Sequence, residues 1–162
     1  MKIYTLKRKQ FLPMTLAEAW DFFSSPKNLS GITPKHMGFT ILYISGGDKM
    51  YPGQLIRYIV RIPPLGSMHW VTEITHVHEP HYFVDEQRFG PYALWHHQHH
   101  FKEVSDGIEM TDEVNYAIPF SFLGQLANWL FVERKVNAIF DYRFKMLVEY
   151  SGYDKTVISK SA

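Results

Sequence analysis

The chain of 162 residues contains no cysteine, which excludes disulfides, thiolate nucleophiles and cysteine-ligated zinc. Charged residues make up only 20% of the sequence, and the formal net charge is +1. Because phosphate binding needs a strongly basic face, and no basic run is longer than "KRK" at 7–9, we expect no nucleic-acid partner. No apolar run approaches the ~18 residues that span a bilayer, and the N-terminus alternates in polarity. The sequence therefore predicts a cytoplasmic protein without membrane insertion.

Hydrophobic residues are abundant instead, at 46% of the sequence, and aromatic residues alone reach 16%. This composition is that of a folded chain, and so many rings indicate more apolar wall than a minimal core requires. The length suits one domain, and no repeat or linker divides it. We predict one ligand-binding domain over residues 1–150, followed by a polar tail over 151–162. The oligomeric state is left open by the sequence.

The hydrophobic pattern predicts a strand, a short helix, a series of strands and a long helix. The first strand covers 3–11, and Thr15 with Glu18 has the spacing of a helix capping box. Six further strands are predicted at 39–45, 54–62, 68–78, 81–89, 93–104 and 108–117. Short turns such as "SDG" at 105–107 separate them, so neighbouring strands should be antiparallel. After Pro119 the period becomes helical over 122–150.

This order of elements predicts an α+β fold in which a long C-terminal helix covers one face of a curved antiparallel sheet of about seven strands. Short helices should follow the first strand. A strongly twisted sheet around a helix leaves a space between the two, and ligands commonly bind in such a space.

Three phrases add a family resemblance that covers about residues 3–150: "GPYALWHHQHHF", "EMTDEVNYAIPFSFLG" and "VERKVNAIFDYR". They resemble the START-like, helix-grip superfamily, also called SRPBCC, which includes polyketide cyclases and pollen-allergen-like lipid binders. The matching positions are Gly90, Pro91, Trp95, His97, His99, Phe101, Thr111, Asp112, Tyr116, Pro119, Phe140 and Arg143. The resemblance implies the helix-grip fold with its internal cavity. It does not imply a reaction, because the superfamily shares no common catalytic group.

The histidine-rich stretch "FGPYALWHHQHHF" at 89–101 lies on one of the predicted strands. Since side chains on a strand alternate between faces, one face carries Trp95, His97, His99 and Phe101. The opposite face is polar, which predicts that His96 and His100 are exposed. On the next strand, Asp112 is a carboxylate within the apolar stripe of Ile108, Met110, Val114 and Tyr116. The "SDG" turn pairs the two strands, so we expect Asp112 to lie near His97 or His99.

A buried carboxylate needs hydrogen-bond partners, and imidazoles can supply them. His97, His99 and Asp112 could form a polar network that orients the polar end of a ligand. They could instead be an acid–base pair acting on a carbonyl or hydroxyl substrate, or bind a metal ion through both histidines with Asp112 as a third ligand. A fourth alternative is that these three residues only pack within the fold and have no functional role. No cofactor motif is present, and neither a cysteine pair nor a helical His-x-x-x-His favours metal, so we predict no cofactor and no metal.

The sequence thus favours a protein that binds a small hydrophobic molecule between the sheet and the 122–150 helix. The predicted polar anchor is His97, His99 and Asp112. The predicted apolar lining is Trp95, Phe101, Tyr116, Phe131, Ile139 and Phe140. The hairpin at 61–67 and the loop at 24–37 are expected to control access. A cofactor-free cyclase, dehydratase or hydrolase that uses a His–Asp pair in the same cavity is the alternative.

Overall fold

The computed structural model describes residues 1–63 and 66–151. Its strands are β1 (Tyr4–Leu12), β2 (Thr40–Ile44), β3 (Gln54–Ile62), β4 (Gly66–His78), β5 (Tyr82–Phe89), β6 (Leu94–Val104) and β7 (Gly107–Ala117). Its α-helices are α1 (Leu16–Phe23), α2 (Ser121–Ala127) and α3 (Glu133–Tyr150). Short 3-10 helices cover Pro26–Ser30 and Lys35–Met37. Apart from Ser151, the predicted polar tail lies outside the described residues, as do Pro64 and Leu65 of the predicted hairpin tip.

The seven strands form one antiparallel sheet in the order β1-β7-β6-β5-β4-β3-β2. Strands β2 to β7 form a meander in chain order, and β1 joins its far edge by pairing with β7. This confirms the predicted α+β architecture of a curved antiparallel sheet, a long C-terminal helical segment and short helices after the first strand. None of the helices described is long and apolar enough to cross a bilayer.

Helix α1 begins where the sequence predicts it. The Thr15 hydroxyl accepts a hydrogen bond from the Glu18 backbone N–H, and the Glu18 carboxylate accepts one from the Thr15 N–H at 2.8 Å. This reciprocal pair satisfies two backbone donors that the first helical turn leaves without partners. The helix then buries Leu16, Ala19 and Trp20 against the sheet.

The C-terminal helical segment differs from the predicted continuous helix, because a π-helical turn at Asn128–Val132 separates α2 from α3. An extra residue in one turn rotates the following side chains by about 100° relative to an unbroken α-helix. The two helices therefore do not share one apolar face. Helix α3 buries Val136, Phe140 and Leu147, whereas Phe131 in the π turn is 60% exposed.

Candidate functional site

A cavity of about 1180 Å³ lies between the sheet and helix α3. Its wall is mainly apolar and includes Trp70 and Trp95 from the sheet and Ile139 and Phe140 from the helix. Residues of the 24–37 segment line it as well, together with Arg61, Ile62 and Pro63 at the end of β3. A volume of this order is large enough for a drug-sized or lipid-sized molecule.

Four polar residues form a cluster in this wall, which we call the His–Asp cluster: Asp85, His97, His99 and Asp112. Strand pairing places Asp85 directly opposite His97, and Asp112 directly opposite His99. The two histidines share a face of β6 because they are two residues apart. Three adjacent strands, β5, β6 and β7, thus bring two carboxylates to two imidazoles.

Each imidazole contacts both carboxylates. His97 Nε2 donates to Asp112 Oδ1 at 3.0 Å, and His99 Nε2 donates to Asp85 Oδ2 at 2.9 Å. The nitrogens must be the donors, because an ionised carboxylate only accepts hydrogen bonds. His97 Nδ1 also lies 3.3 Å from Asp85 Oδ2, and His99 Nδ1 lies 2.9 Å from Asp112 Oδ1.

The His99 Nδ1 atom is different from the other three ring nitrogens. Despite its distance from Asp112, it is out of line for a hydrogen bond and has no hydrogen-bond partner among the described residues. His99 is 7% exposed and lines the cavity. The His–Asp cluster therefore presents one buried nitrogen that a ligand or substrate could engage.

Aromatic contacts fix the orientation of both imidazoles. The His97 and His99 rings lie 3.7 Å apart between centroids, and Phe83 stacks on His99 at 4.1 Å. The rings of His97 and Phe140 of helix α3 are nearly perpendicular, with 5.4 Å between their centroids. These contacts restrict ring rotation, so each nitrogen keeps its carboxylate partner.

The electrostatics of the cluster favour its charged form. Burial by itself would raise the pKa of the Asp85 and Asp112 carboxyls, but the charge and hydrogen bonds of His97 and His99 hold both pKa values well below their usual range. Burial alone would lower the pKa of His97, yet the charge of Asp85 and the hydrogen bonds that the imidazole donates to both carboxylates raise it above the ordinary value. The close contact of both His97 nitrogens with carboxylate oxygens agrees with an imidazolium.

A metal ion could also be held here, by a slightly different set from the predicted one. Ligand atoms of Asp85, His97 and His99 lie within 4.8 Å of one another. Two imidazoles and one carboxylate form a donor set that zinc and iron accept. However, a metal would have to displace the N–H protons that now hold the carboxylates, since a ring nitrogen cannot donate a proton and bind a cation at once.

The structure brings together His97, His99 and Asp112, the three residues of the predicted polar anchor. Four residues of the predicted apolar lining reach the cavity: Trp95, Phe131, Ile139 and Phe140. Phe101 and Tyr116 lie in the packed core beside it. Phe101 contacts Trp20 and Phe23 under helix α1, and Tyr116 packs against Tyr4, Tyr92 and Trp95.

Asp85 and Arg143 also line the cavity wall, and neither is among the site residues predicted from the sequence. The sequence does not assign Asp85 to either face of β5, because Phe83 and Val84 before it are both apolar. The spacing of Asp85 two residues from Phe83, a ring on the inner face, was the available signal. Arg143 lines the cavity from α3. The available signal was its position in the phrase "VERKVNAIFDYR", three residues after Phe140.

A curved seven-stranded antiparallel sheet with a C-terminal helix across it and a cavity between them defines the helix-grip fold. Solved structures share it at low identity. TTHA0849 from Thermus thermophilus matches with a TM-score of 0.66 and 13% identity, over 98% of this chain and 100% of that one. Ara h 8.0201 matches with a TM-score of 0.57 and 14% identity, over 91% and 99% of the two chains.

The di-domain ARO/CYC BexL from the BE-7585A biosynthetic pathway matches with a TM-score of 0.70 and 12% identity, over 94% of this chain and 51% of that one. This chain thus corresponds to about half of that protein. No protein-family model matches the chain, and neither does any curated protein. Identities this low establish the fold and leave the chemistry to the chain's own residues.

Proposed function

We propose that the protein binds a small hydrophobic molecule in the cavity, with the His–Asp cluster holding a polar group of that molecule. The observation that carries this proposal is the cavity of about 1180 Å³, whose mainly apolar wall includes His99 with a buried Nδ1 that has no hydrogen-bond partner among the described residues. Burial of the ligand against this wall contributes about 25 cal/mol for each Å² of apolar surface that is removed from water. A few fixed polar groups then orient the ligand.

The ligand contact atom in the cluster is His99 Nδ1. Nε2 of the same ring donates to Asp85, which leaves Nδ1 as the ring atom that could form a hydrogen bond with a polar group of the ligand. The stacking of His99 between His97 and Phe83 holds this nitrogen in place before the ligand arrives. A polar group fixed in advance lowers the entropy lost on binding.

The most direct experiment is native mass spectrometry on protein purified from its own host, followed by denaturation and analysis of released small molecules and metals. We expect an apolar molecule with at least one polar oxygen, in about one copy per chain. A stoichiometric metal without an organic ligand would overturn the proposal and make the His–Asp cluster a metal centre. Protein that carries neither would refute tight retention of a ligand and favour the catalytic alternative below.

Ile139→Trp tests the place of binding. The added indole occupies cavity volume beside Phe140, and overpacking of this kind costs about 1–3 kcal/mol, so we expect at least a fivefold loss of affinity for the neutral fluorescent probe N-phenyl-1-naphthylamine. Lys145→Trp is the matched control, because Lys145 lies on the same helix with its side chain 60% exposed. Equal affinities in the two variants would place the probe outside the cavity and contradict the proposal.

Acid–base catalysis in the same cavity is the second candidate, as a cofactor-free cyclase, dehydratase or hydrolase. The observation that favours it is the carboxylate-oriented imidazole of His99, whose Nε2 is held by Asp85 while Nδ1 lacks a hydrogen-bond partner among the described residues. A base oriented in this way can take a proton from a bound hydroxyl or from carbon beside a carbonyl.

His99→Gln distinguishes the two candidates once a ligand has been recovered. If the protein is a catalyst, the wild type converts that molecule, and the variant loses about 100-fold or more in turnover while its affinity changes little. If the protein is a binder, neither form converts the molecule and only the affinity changes. Mass spectrometry of the ligand after incubation reports turnover, and titration calorimetry reports affinity.

A further inference from the structure

Arg143 is a cation in the cavity wall without a protein counter-ion among the described residues. Its Nε atom is buried and has no hydrogen-bond partner there, and no carboxylate of residues 1–63 or 66–151 lies within ion-pair distance. Its guanidinium contacts the ring of Phe140, with 5.2 Å from Cζ to the ring centroid. The side chain is half-buried on α3 and lines the cavity.

Other cationic side chains at the cavity are satisfied by protein or by water. Arg8 donates to Asn137 and lies 3.7 Å from the Asp141 carboxylate, and Lys135 donates to the Pro63 carbonyl. Lys35 and Arg61 are exposed, so water can solvate them. Arg143 combines partial burial with a buried donor that neither water nor a described residue reaches.

A partly buried guanidinium without a counter-ion is unfavourable, and a ligand oxygen could offset that cost. The guanidinium has five N–H donors in a planar fork whose shape matches a carboxylate. The aromatic ring beneath it leaves the edge of the fork for such a partner. The guanidinium of Arg143 is therefore suited to bind a negatively charged oxygen, such as that of a carboxylate.

The His–Asp cluster would not hold that anion, because Asp85 and Asp112 are both ionised there and repel negative charge. The two polar positions are close, since the ring of Phe140 contacts both His97 and the Arg143 guanidinium. The Tyr58 hydroxyl, which pairs with Thr72 at 3.1 Å, lies within the electrostatic influence of both Asp85 and Arg143. The cavity thus has a cluster suited to an uncharged hydroxyl and, in contact with the same Phe140 ring, a guanidinium suited to an anion.

We propose that Arg143 binds the carboxylate of the ligand, so that the ligand class is a hydrophobic carboxylic acid. This inference rests on the proposed binding function and adds the acidic group to it. The apolar body of the acid lies along the cavity wall. Its carboxylate accepts hydrogen bonds from the guanidinium N–H groups that face the cavity.

The experiment compares 2-anthracenecarboxylate with its neutral amide, 2-anthracenecarboxamide, as competitors of N-phenyl-1-naphthylamine at pH 8. A charge-assisted hydrogen bond favours the charged ligand, so we expect the wild type to prefer the carboxylate by at least tenfold. Arg143→Met keeps most of the aliphatic side chain and should abolish the preference. Arg143→Lys keeps the charge and should retain part of it. Arg134→Met, on an exposed position of the same helix, should behave as the wild type.

The outcomes separate this inference from the function on which it rests. Wild type that binds the probe but does not prefer the carboxylate would refute the role of Arg143 and leave the hydrophobic cavity intact. The same holds if the preference survives in Arg143→Met. Wild type that does not bind the probe would refute the proposed function itself. Retained probe affinity in each variant shows that the cavity is still folded.

Discussion

Replacement of His97 by phenylalanine should lower the free energy of unfolding by about 3–5 kcal/mol near pH 6, because it leaves two carboxylates without their main counter-charge. The Asp85 and Asp112 side chains are only 18% and 15% exposed, so water cannot replace the lost imidazole fully. Phenylalanine keeps an aromatic ring against Phe140 and removes only the two nitrogens that face the carboxylates. Urea denaturation of both forms measures the difference.

His100→Phe is the matched control on the same strand. His100 is exposed on the outer face, where its ring nitrogen contacts Gln98, so this variant should change stability by less than about 1 kcal/mol. If both variants lost the same stability, the effect of His97→Phe would be one of strand propensity, and the His–Asp cluster would not be a charged network.

The second large effect is a maximum in stability at mildly acidic pH. Asp85 and Asp112 have depressed pKa values in the folded state, so their contribution is present above about pH 4, the unfolded value, and is lost as the pH falls through the folded values. The pKa of His97 is raised, so its contribution is complete below about pH 6.5 and is lost as the pH rises through the folded value. The cluster therefore stabilises the fold most between about pH 4 and 6.5.

The free energy of unfolding measured from pH 3 to 9 tests this expectation. Wild type should show the maximum, and a variant with both Asp85→Asn and Asp112→Asn should show a much flatter profile over the same range. His97→Phe should differ from the wild type most between about pH 4 and 6.5 and less at pH 3, where carboxylates without a counter-charge become protonated. A wild-type profile without a maximum in this window would show that the three groups are not coupled as the geometry indicates.

The neighbourhood of Asp112 and the histidines was predictable because only local information was needed. Strand alternation fixed the faces of β6 and β7, and the two-residue turn of Ser105 and Asp106 fixed their register. Given that register, Asp112 had to lie beside an inward histidine. The observed partner in the ladder is His99, while His97 makes the hydrogen bond to Asp112.

The second carboxylate was not predictable in the same way. Strand β5 pairs with β4 through two register irregularities, and the connection between β5 and β6 is longer than a tight turn, so the sequence does not fix what lies opposite Asp85. The position of Arg143 depends on how α3 crosses the sheet, which the π-helical turn before it alters. Tertiary packing determines the positions of both residues, and the hydrophobic periodicity of the sequence predicts only secondary structure.

The exposed rings at the cavity have a thermodynamic consequence. Phe120 and Phe131 line the cavity, yet they are 80% and 60% exposed, so in the free protein they are hydrated. A ligand that covers them removes apolar surface of the protein from water in addition to its own. Binding should therefore be accompanied by a pronounced negative heat-capacity change, and its enthalpy should become more exothermic as the temperature rises. The temperature dependence of the binding enthalpy would then report how much of the exposed Phe120 and Phe131 surface a given ligand covers.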